Sequence, residues 1–517
     1  MEIQSRSQKA IKNASIGILS YLLPVLATFI FRRYFILHLG GELLGLNNIV
    51  VNILGFLNAS ELGLASAIAY ALYKPLYEGN KQEVIDIVSI QAVFYRWIAR
   101  FILLASIIIF FFFPKIFAKV DLPLWYAYAT YFVLLSGTLL SYYFNYRQVV
   151  FISDQKGYIP NLCIHIPRFI KLILQTLCII YLSHGYIWWL SLELIWYITT
   201  TVSIEYFVRK SYPWLRVDRK QFGQLIKTYP EILIRTKQLI VHRLAAVVLD
   251  QGSPLVLFGV TAAAYAVTVY NNYLLVYASI AATLRILFGA LTSSLGHKIV
   301  EEKKQTSGTE SMASLFGRIY SLRNFFSTAV VGILLIFMPS FIELWLGKEM
   351  LFDTGTFYIS LGYIYYASNR STDDFLAAYG LYQDVWAPFV ELSLNLGLSI
   401  LLGMQFGIAG IWSGIIISQI VIVYLWKPYF LYQQGLHTPL RHYLLLLTHN
   451  RLMSLVAIVL IYQVMIPSYP IESWGQFIPE FLWRGGSVTL ITGVIFIGLS
   501  AFFRQIVMQT LRQLHLH

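Results

Sequence analysis

Charge is scarce in this chain, and so is cysteine. Asp, Glu, Lys and Arg make up 12% of its 517 residues, about half the share of an ordinary soluble domain, so a large hydrated surface is excluded. The 2 cysteines, Cys163 and Cys178, fall in one apolar segment and act there as small hydrophobes. Nothing stands near them at the spacing of a disulfide framework, a metal site or a redox pair. The chain also lacks a metal-ligand cluster, a nucleophile with its base, and a glycine-rich phosphate loop. Polar connections rarely exceed about twenty residues, too few for a separate soluble domain.

What remains is apolar and aromatic. Hydrophobic residues reach 58%, mean hydropathy is +0.65, and aromatics make up 16%, with 36 Tyr and 12 Trp. This composition places the chain among polytopic membrane proteins, with aromatics for interfacial belts and cavity linings. The formal charge of +13 reads as basic cytoplasmic loops; nucleic-acid binding would need a soluble basic patch, and none is present. Arg6, Lys9 and Lys12 precede an apolar run from Ala14 to Phe31 that is too long for a signal-peptide core and lacks a cleavage site, so it is a retained first span.

Apolar windows long enough to cross a bilayer number about fourteen. They fall near 12–38, 42–73, 86–113, 123–150, 159–182, 186–208, 231–258, 262–295, 315–340, 355–382, 385–404, 407–430, 451–468 and 483–503. The fold class is therefore all-α and polytopic, with residues 1–220 (six spans), 221–435 (six spans) and 436–517 (a C-terminal helix pair) as its divisions. No internal sequence repeat is evident. Odd-numbered gaps are short or acidic, as at Glu343 to Asp353 and Tyr469 to Glu480, while even-numbered gaps are basic, as at Arg209, Lys210, Arg216, Arg219, Lys220 and Lys227. Lys298, Lys303, Lys304, Lys427, Arg441 and Arg451 continue that basic series. Both termini are thus expected in the cytoplasm.

One stretch resembles a known family. FRRYFILHLGGELLGLN, NILGFL, ASELGLASAIAYALYKPL and GNKQEV follow one another between Phe31 and Val84, and SYYFNYRQVVFISDQKGYI, TSSLGHKIVEE, FIELWLGKEM, AAYGLYQDVWAPFVELSLNLGLSI, GIAGIWSGIIIS and WKPYFLY come later in order. This series, from Ile11 to Tyr432, is similar to the polysaccharide transporter family, the Wzx-type flippases of the multidrug, oligosaccharidyl-lipid and polysaccharide exporter superfamily. The last two spans match only in hydropathy. The resemblance implies two six-helix lobes related by a pseudo-twofold axis. It also implies a substrate, an undecaprenyl-diphosphate-linked repeat unit of O-antigen or capsule, moved across the bacterial inner membrane. The partners implied are membrane lipids, a polysaccharide polymerase and a chain-length regulator.

Such cargo needs cations for the diphosphate and hydrogen-bonding groups for the sugars, inside a cavity that opens to one side at a time. Charges within the spans are the candidates, because a charge in hydrocarbon faces protein or water. Helical rise puts Arg370 roughly 22 Å into its span and Arg243 about 20 Å into its own. Arg370 has Asp373 and Asp374 at i+3 and i+4 as alternative ion-pair partners, and Asp250 lies two turns beyond Arg243. Arg32 and Arg33 stand near the outer end of the first span, with Arg32 the better placed to face inward. Arg147 and Arg285, near cytoplasmic ends, are either interfacial anchors or entrance contacts. Arg96, Arg100, Arg168, Lys171, Arg235 and Lys237 read as topology charges.

Glu61, with Asp250, Asp373 and Asp374, is a candidate for Na⁺ or H⁺ coupling, and Glu193 and Glu391 are weaker ones. Glu61 sits between Asn58, Ser60 and Gly63, in a helix whose companion carries Arg32 and Arg33, so an ion would compete with an arginine for it. Asn47, Asn48, Asn52, Asn271, Asn272, Asn369 and Asn395 offer hydrogen bonds to sugars or between helices, and Tyr363, Tyr365 and Tyr366 offer stacking faces. No cofactor is expected beyond such an ion.

Three functions fit: a lipid-linked oligosaccharide flippase, which the central arginines favour; an ion-coupled drug exporter, whose cavity would present carboxylates to cationic drugs; and a membrane-embedded glycan-processing enzyme, for which the outer loops are too short. The topology has a direct test. Reporter fusions after Lys220 and Lys304 should read cytoplasm and fusions at Glu349 and Glu472 periplasm; a cytoplasmic signal from the last pair means the span count is wrong.

Overall fold

The computed structural model describes residues 6–514 except 59, 60, 62, 219–221, 305–311, 382, 385 and 468; the side chains of 6–22, 235, 237–246, 250, 289–304, 510, 513 and 514 also lie outside the description. The contacts divide the chain into two units, Met1–Thr268 and Val269–His517. All regular structure among the described residues is helical, and helices cover each of the windows read from hydropathy. Seven of these helices are long and apolar enough by themselves to cross a membrane. Their outward surfaces carry large apolar side chains such as Phe111, Trp483 and Leu490, as suits helices set in lipid.

In the first unit α1 (Arg6–Leu39) ends at Gly40, whose φ of 88° turns the chain directly into α2 (Gly41–Asn58). The single span expected over 42–73 is broken: α2 stops, Gly63 takes a left-handed φ of 85°, and α3 (Leu64–Glu78) begins anew. Then come α4 (Lys81–Ile116), capped by the Asn80 side chain, and α5 (Trp125–Tyr143). A tight 3-10 turn, Asn145–Arg147, separates α5 from the short α6 (Gln148–Ser153). Next are α7 (Tyr158–Tyr181), α8 (Gly185–Ser211), the short α9 (Phe222–Thr228) and α10 (Pro230–Thr261). Helices α1, α7 and α8 bury one cluster of Phe31, Phe35, Leu172, Ile179, Tyr186 and Trp189. Lipid removes most of the hydrophobic drive between spans, so close backbone approach and interhelical hydrogen bonds take over. At Gly45 of α2 an added Cβ would lie 1.8 Å from the Ala264 carbonyl oxygen, and Thr268 donates to the Gly41 carbonyl at 2.6 Å. These two residues belong to the start of α11 (Ala264–Lys304), within which the division between units falls.

The second unit continues with α12 (Met312–Leu346), α13 (Thr354–Ser368) and α14 (Ser371–Tyr379). The stretch Ala387–Gln419, α15, is a helical hairpin: Gly407 (φ 55°, ψ −127°) reverses the chain between the two expected windows, 385–404 and 407–430. Its second arm runs on through π-helical turns and α16 (Lys427–Leu431). Last are α17 (Leu440–Met465), α18 (Trp474–Leu499) and an amphipathic α19 (Ala501–Leu514), which sequence reading did not separate from the final span. The hairpin arms touch because Gly410 and Gly414 face backbone atoms of Leu402 and Ser399; a Cβ on Gly410 would lie 2.1 Å from the Leu402 carbonyl oxygen. Asp353 caps α13, accepting from the Thr356 N–H at 3.0 Å and its hydroxyl at 2.5 Å.

Two outcomes follow. Gly410→Leu forces the arms apart, an overpacking cost of about 1–3 kcal/mol or more, and should lower the monodisperse yield on gel filtration, whereas Gly498→Leu, with open space around it, should not. Hydrogen bonds from Thr356 hold the Asp353 carboxyl below its ordinary range. Its stabilisation is therefore present above the unfolded-state value and is lost as pH falls through the lower folded one. Asp353→Ala should cost about 1 kcal/mol at neutral pH, and the gap from the parent in thermal unfolding should close in strong acid.

Candidate functional site

The first unit carries an open-mouthed cavity of about 530 Å³. Its wall is made where two helices are interrupted. The turn between α2 and α3 brings Glu61, α4 brings Gln91 and Tyr95, and the 3-10 turn after α5 brings Tyr146, with Tyr142 just before it. The Tyr95 hydroxyl donates to the Glu61 carboxylate. That carboxylate has no ion pair among the described residues, so its partner is a tyrosine where the sequence pointed to Arg32 or Arg33. Arg32 instead lies buried on α1, beside Phe31 and Phe35. Arg147 ends the 3-10 turn and meets Glu205 of α8 at 2.9 Å, and Arg209 holds the same carboxylate at 2.8 Å.

Lys171 lies elsewhere than the sequence places it. It is not a topology charge at a helix end: it is buried on α7, 2.8 Å from Glu193 of α8, with Gln175 donating to the same carboxylate at 3.0 Å and the Trp196 ring 4.1 Å from its ammonium. An intramembrane lysine persists when its partner and remaining donors are accommodated in this way, and removing one member of such a pair costs about 3–5 kcal/mol. Arg243 and Asp250 belong to α10, and their side chains lie outside the described residues. Arg285 is exposed on α11.

The second unit gathers its charges around another break. Helix α13 stops at Ser368 and α14 restarts at Ser371, so Arg370 occupies the joint rather than the middle of a continuous helix. The Tyr424 hydroxyl lies 2.7 Å from both the Tyr366 and the Asn369 carbonyl oxygens, supplying a donor where the helix has ended. Arg370 meets Asp373 at 2.5 Å, and Lys427 meets the other oxygen of Asp373 at 2.9 Å. Lys427 also stands 3.9 Å from Glu391, and Asp374 pairs with Arg323 of α12. Of the two partners the sequence allowed, Arg370 takes the i+3 aspartate.

Arg451 completes the group. Its guanidinium carbon lies 4.4, 4.7 and 4.8 Å from the ring centres of Tyr365, Tyr366 and Tyr424. Among the described residues it has no carboxylate partner, and its two terminal nitrogens make no hydrogen bond of good geometry. Four cations, Arg323, Arg370, Lys427 and Arg451, thus face three carboxylates, and the surplus resides on Arg451. Lys427 and Arg451 had read as cytoplasmic loop charges. The structure corrects both: α17 starts at Leu440, which puts Arg451 about 16 Å inside a helix. The polar run His449, Asn450, Arg451 puts the start of the hydropathy window at Arg451 itself, so that the residue reads as an edge charge. Arg323 was missed, although an arginine inside the 315–340 window was itself a signal.

The two breaks share a local repeat that sequence reading passed over. Tyr142-Tyr143, Arg147 and Gly157 recur at identical spacing as Tyr365-Tyr366, Arg370 and Gly380. In each unit the tyrosines lie in the last turn of a helix and the arginine sits in the interruption that follows.

No family model and no curated protein matches the chain. Solved structures do. "Lipid II flippase MurJ, inward closed conformation" is similar over 93% of this chain and 98% of its own, at 17% identity and a TM-score of 0.61. An inward-facing multidrug resistance MATE family transporter of the MOP superfamily is similar over 87% and 99%, at 13% identity and a TM-score of 0.60. An outward-facing structure so described covers 88% and 97%, at 12% identity and a TM-score of 0.51. At these identities the likeness is one of architecture: this chain is a multi-pass membrane protein with the all-helical fold that MurJ and MATE transporters share.

Proposed function

We propose that this protein is a flippase that moves an undecaprenyl-diphosphate-linked oligosaccharide, an O-antigen or capsule repeat unit, from the cytoplasmic to the periplasmic leaflet of the bacterial inner membrane. The observation that carries the reading is the cation surplus of the second unit. Arg370, at a helix break, keeps 36% of its side chain accessible, and Arg451 has no carboxylate among the described residues. A diphosphate provides the missing negative charge, and guanidinium groups match its oxygens in bidentate geometry. Discontinuous helices are where transporters of inverted-repeat design place such contacts. Support also comes from the fold, since one structure that shares it is described as a lipid II flippase. Arg243 joins the proposal through its place on α10. Transport proceeds by alternating access, with both termini cytoplasmic and an H⁺ or Na⁺ gradient as the source of bias.

Export of cationic drugs is the second reading. It is favoured by Glu61, which lines a cavity without an ion pair among the described residues, and by the transporters that share the fold. The two readings separate in vesicles. The parent should flip a fluorescent undecaprenyl-diphosphate-linked sugar, and Arg370→Gln should slow it by about ten- to a hundredfold, the loss of one charge-assisted contact of about 1.5–3 kcal/mol. Lys427 still neutralises Asp373 in that variant, so folding is retained, and Lys348→Gln serves as an exposed control. Undiminished flipping with Arg370 and Arg451 both replaced by Gln removes the cationic site. Gradient-driven efflux of ethidium, with no flipping, establishes the exporter instead.

A further inference from the structure

The cavity of the first unit has a composition that the diphosphate does not explain. Among the described residues no lysine or arginine lines it, so they offer the anionic group no counter-charge there. Three of its buried polar atoms lack a partner among those residues. The Asn58 Oδ1, the Gln91 Oε1 and the Tyr146 hydroxyl are all buried and have no hydrogen-bond partner among the described residues. The Glu61 carboxylate receives the Tyr95 hydroxyl and hydrogen-bonds Tyr142 as well. A buried polar atom left without a partner is costly, so three such atoms around one space, two of them pure acceptors, describe a site open to a hydrogen-bonding ligand.

Size and lining narrow the ligand. A bound water takes about 30 Å³ of liquid volume and a bare metal ion less, so a cavity of about 530 Å³ exceeds an ion site by an order of magnitude. It falls within the range of about 300–1,000 Å³ found for small-molecule sites. Most of the lining area is apolar, as in small-molecule sites generally, yet eleven of the sixteen lining residues carry a side chain able to hydrogen-bond, and one of them is ionic. Tyr95, Tyr142, Tyr146 and Tyr197 add flat faces that are apolar across the ring and polar at the tip. A ligand with many hydroxyl donors around a compact ring with C–H faces meets these conditions.

We propose that this cavity is a glycan subsite. It binds one or two pyranose residues of the cargo, with Glu61 accepting from sugar hydroxyls, Asn58, Gln91 and Tyr146 completing the hydrogen bonds, and the tyrosine rings packing on the sugar face. Tyr95 is a positioning residue that orients the carboxylate. The inference deepens the flippase reading and rests on it for the identity of the cargo. The division of labour is chemical: the second unit supplies cations for the diphosphate, and the first supplies acceptors for the neutral sugar.

The test uses the full chain in detergent and saturation-transfer NMR with methyl glycosides of glucose, galactose, rhamnose and N-acetylglucosamine at millimolar concentration. At least one glycoside should bind. Glu61→Gln should weaken it about tenfold and Tyr146→Phe, which keeps the ring, about threefold; tyrosine near-ultraviolet circular dichroism confirms that each variant is folded. Absence of any glycoside signal, or binding unchanged in both variants, overturns the assignment. A Na⁺ titration that perturbs the tyrosines through Glu61 while no glycoside binds overturns it in favour of an ion site. The flipping assay keeps the two claims apart. A parent that flips lipid-linked sugar but binds no glycoside loses the subsite and remains a flippase, whereas glycoside binding without flipping retains the subsite and removes the flippase.

Discussion

Asp373 accepts two cations at once, and the second unit is arranged around that fact. A carboxylate taken into a membrane interior loses hydration worth several kcal/mol, which a single contact rarely offsets. Arg370 on one side and Lys427 on the other, at 2.5 and 2.9 Å, provide that compensation from two different helices. Lys427 in turn approaches Glu391, and Asp374 on the next position of α14 holds Arg323 of α12. The ion pairs therefore tie α12, α14, the arm that carries α16, and the start of α15 into one body. The tyrosines fill the same role for Arg451, since aromatic faces attract a cation without adding a charge that must itself be desolvated.

Interrupted helices recur where this chain brings polar groups together. A break leaves carbonyl and amide groups without partners, and lipid offers none, so the protein must supply them. Tyr424 does so for the end of α13. Just before the left-handed Gly63 that starts α3, Glu61 stands against Tyr95. In both units the cost of interruption is offset by local hydrogen bonds, and the return is a polar side chain that a straight helix could not aim inward.

Much of the fold was legible because hydropathy reports directly on spans. The windows at 159–182, 186–208 and 231–258 agree with α7, α8 and α10 within a few residues. The breaks were not legible at Asn145 or Asn369, because neither proline nor glycine marks them; they arise from tertiary partners such as Tyr424. Arg370 and Asp373 were found from helical spacing, which remained useful although the helix starts anew between α13 and α14. Lys171, Lys427 and Arg451 were misread because a basic residue near a window edge looks the same whether it meets water or a buried carboxylate or aromatic ring. The sign of its neighbours across the bundle decides, and sequence order does not reveal those neighbours.

The two recurring arginines differ in what holds them. Arg147 is bound to Glu205 on α8, a different helix, so releasing it requires α8 to withdraw or Arg209 to take over the carboxylate. Arg370 is bound to an aspartate three residues ahead on its own chain segment, and that aspartate keeps Lys427 when the arginine leaves. One contact is a brace between two helices and the other a clasp within a single segment, so an arginine at the same spacing is tied to its neighbours in one unit and to its own stretch of chain in the other.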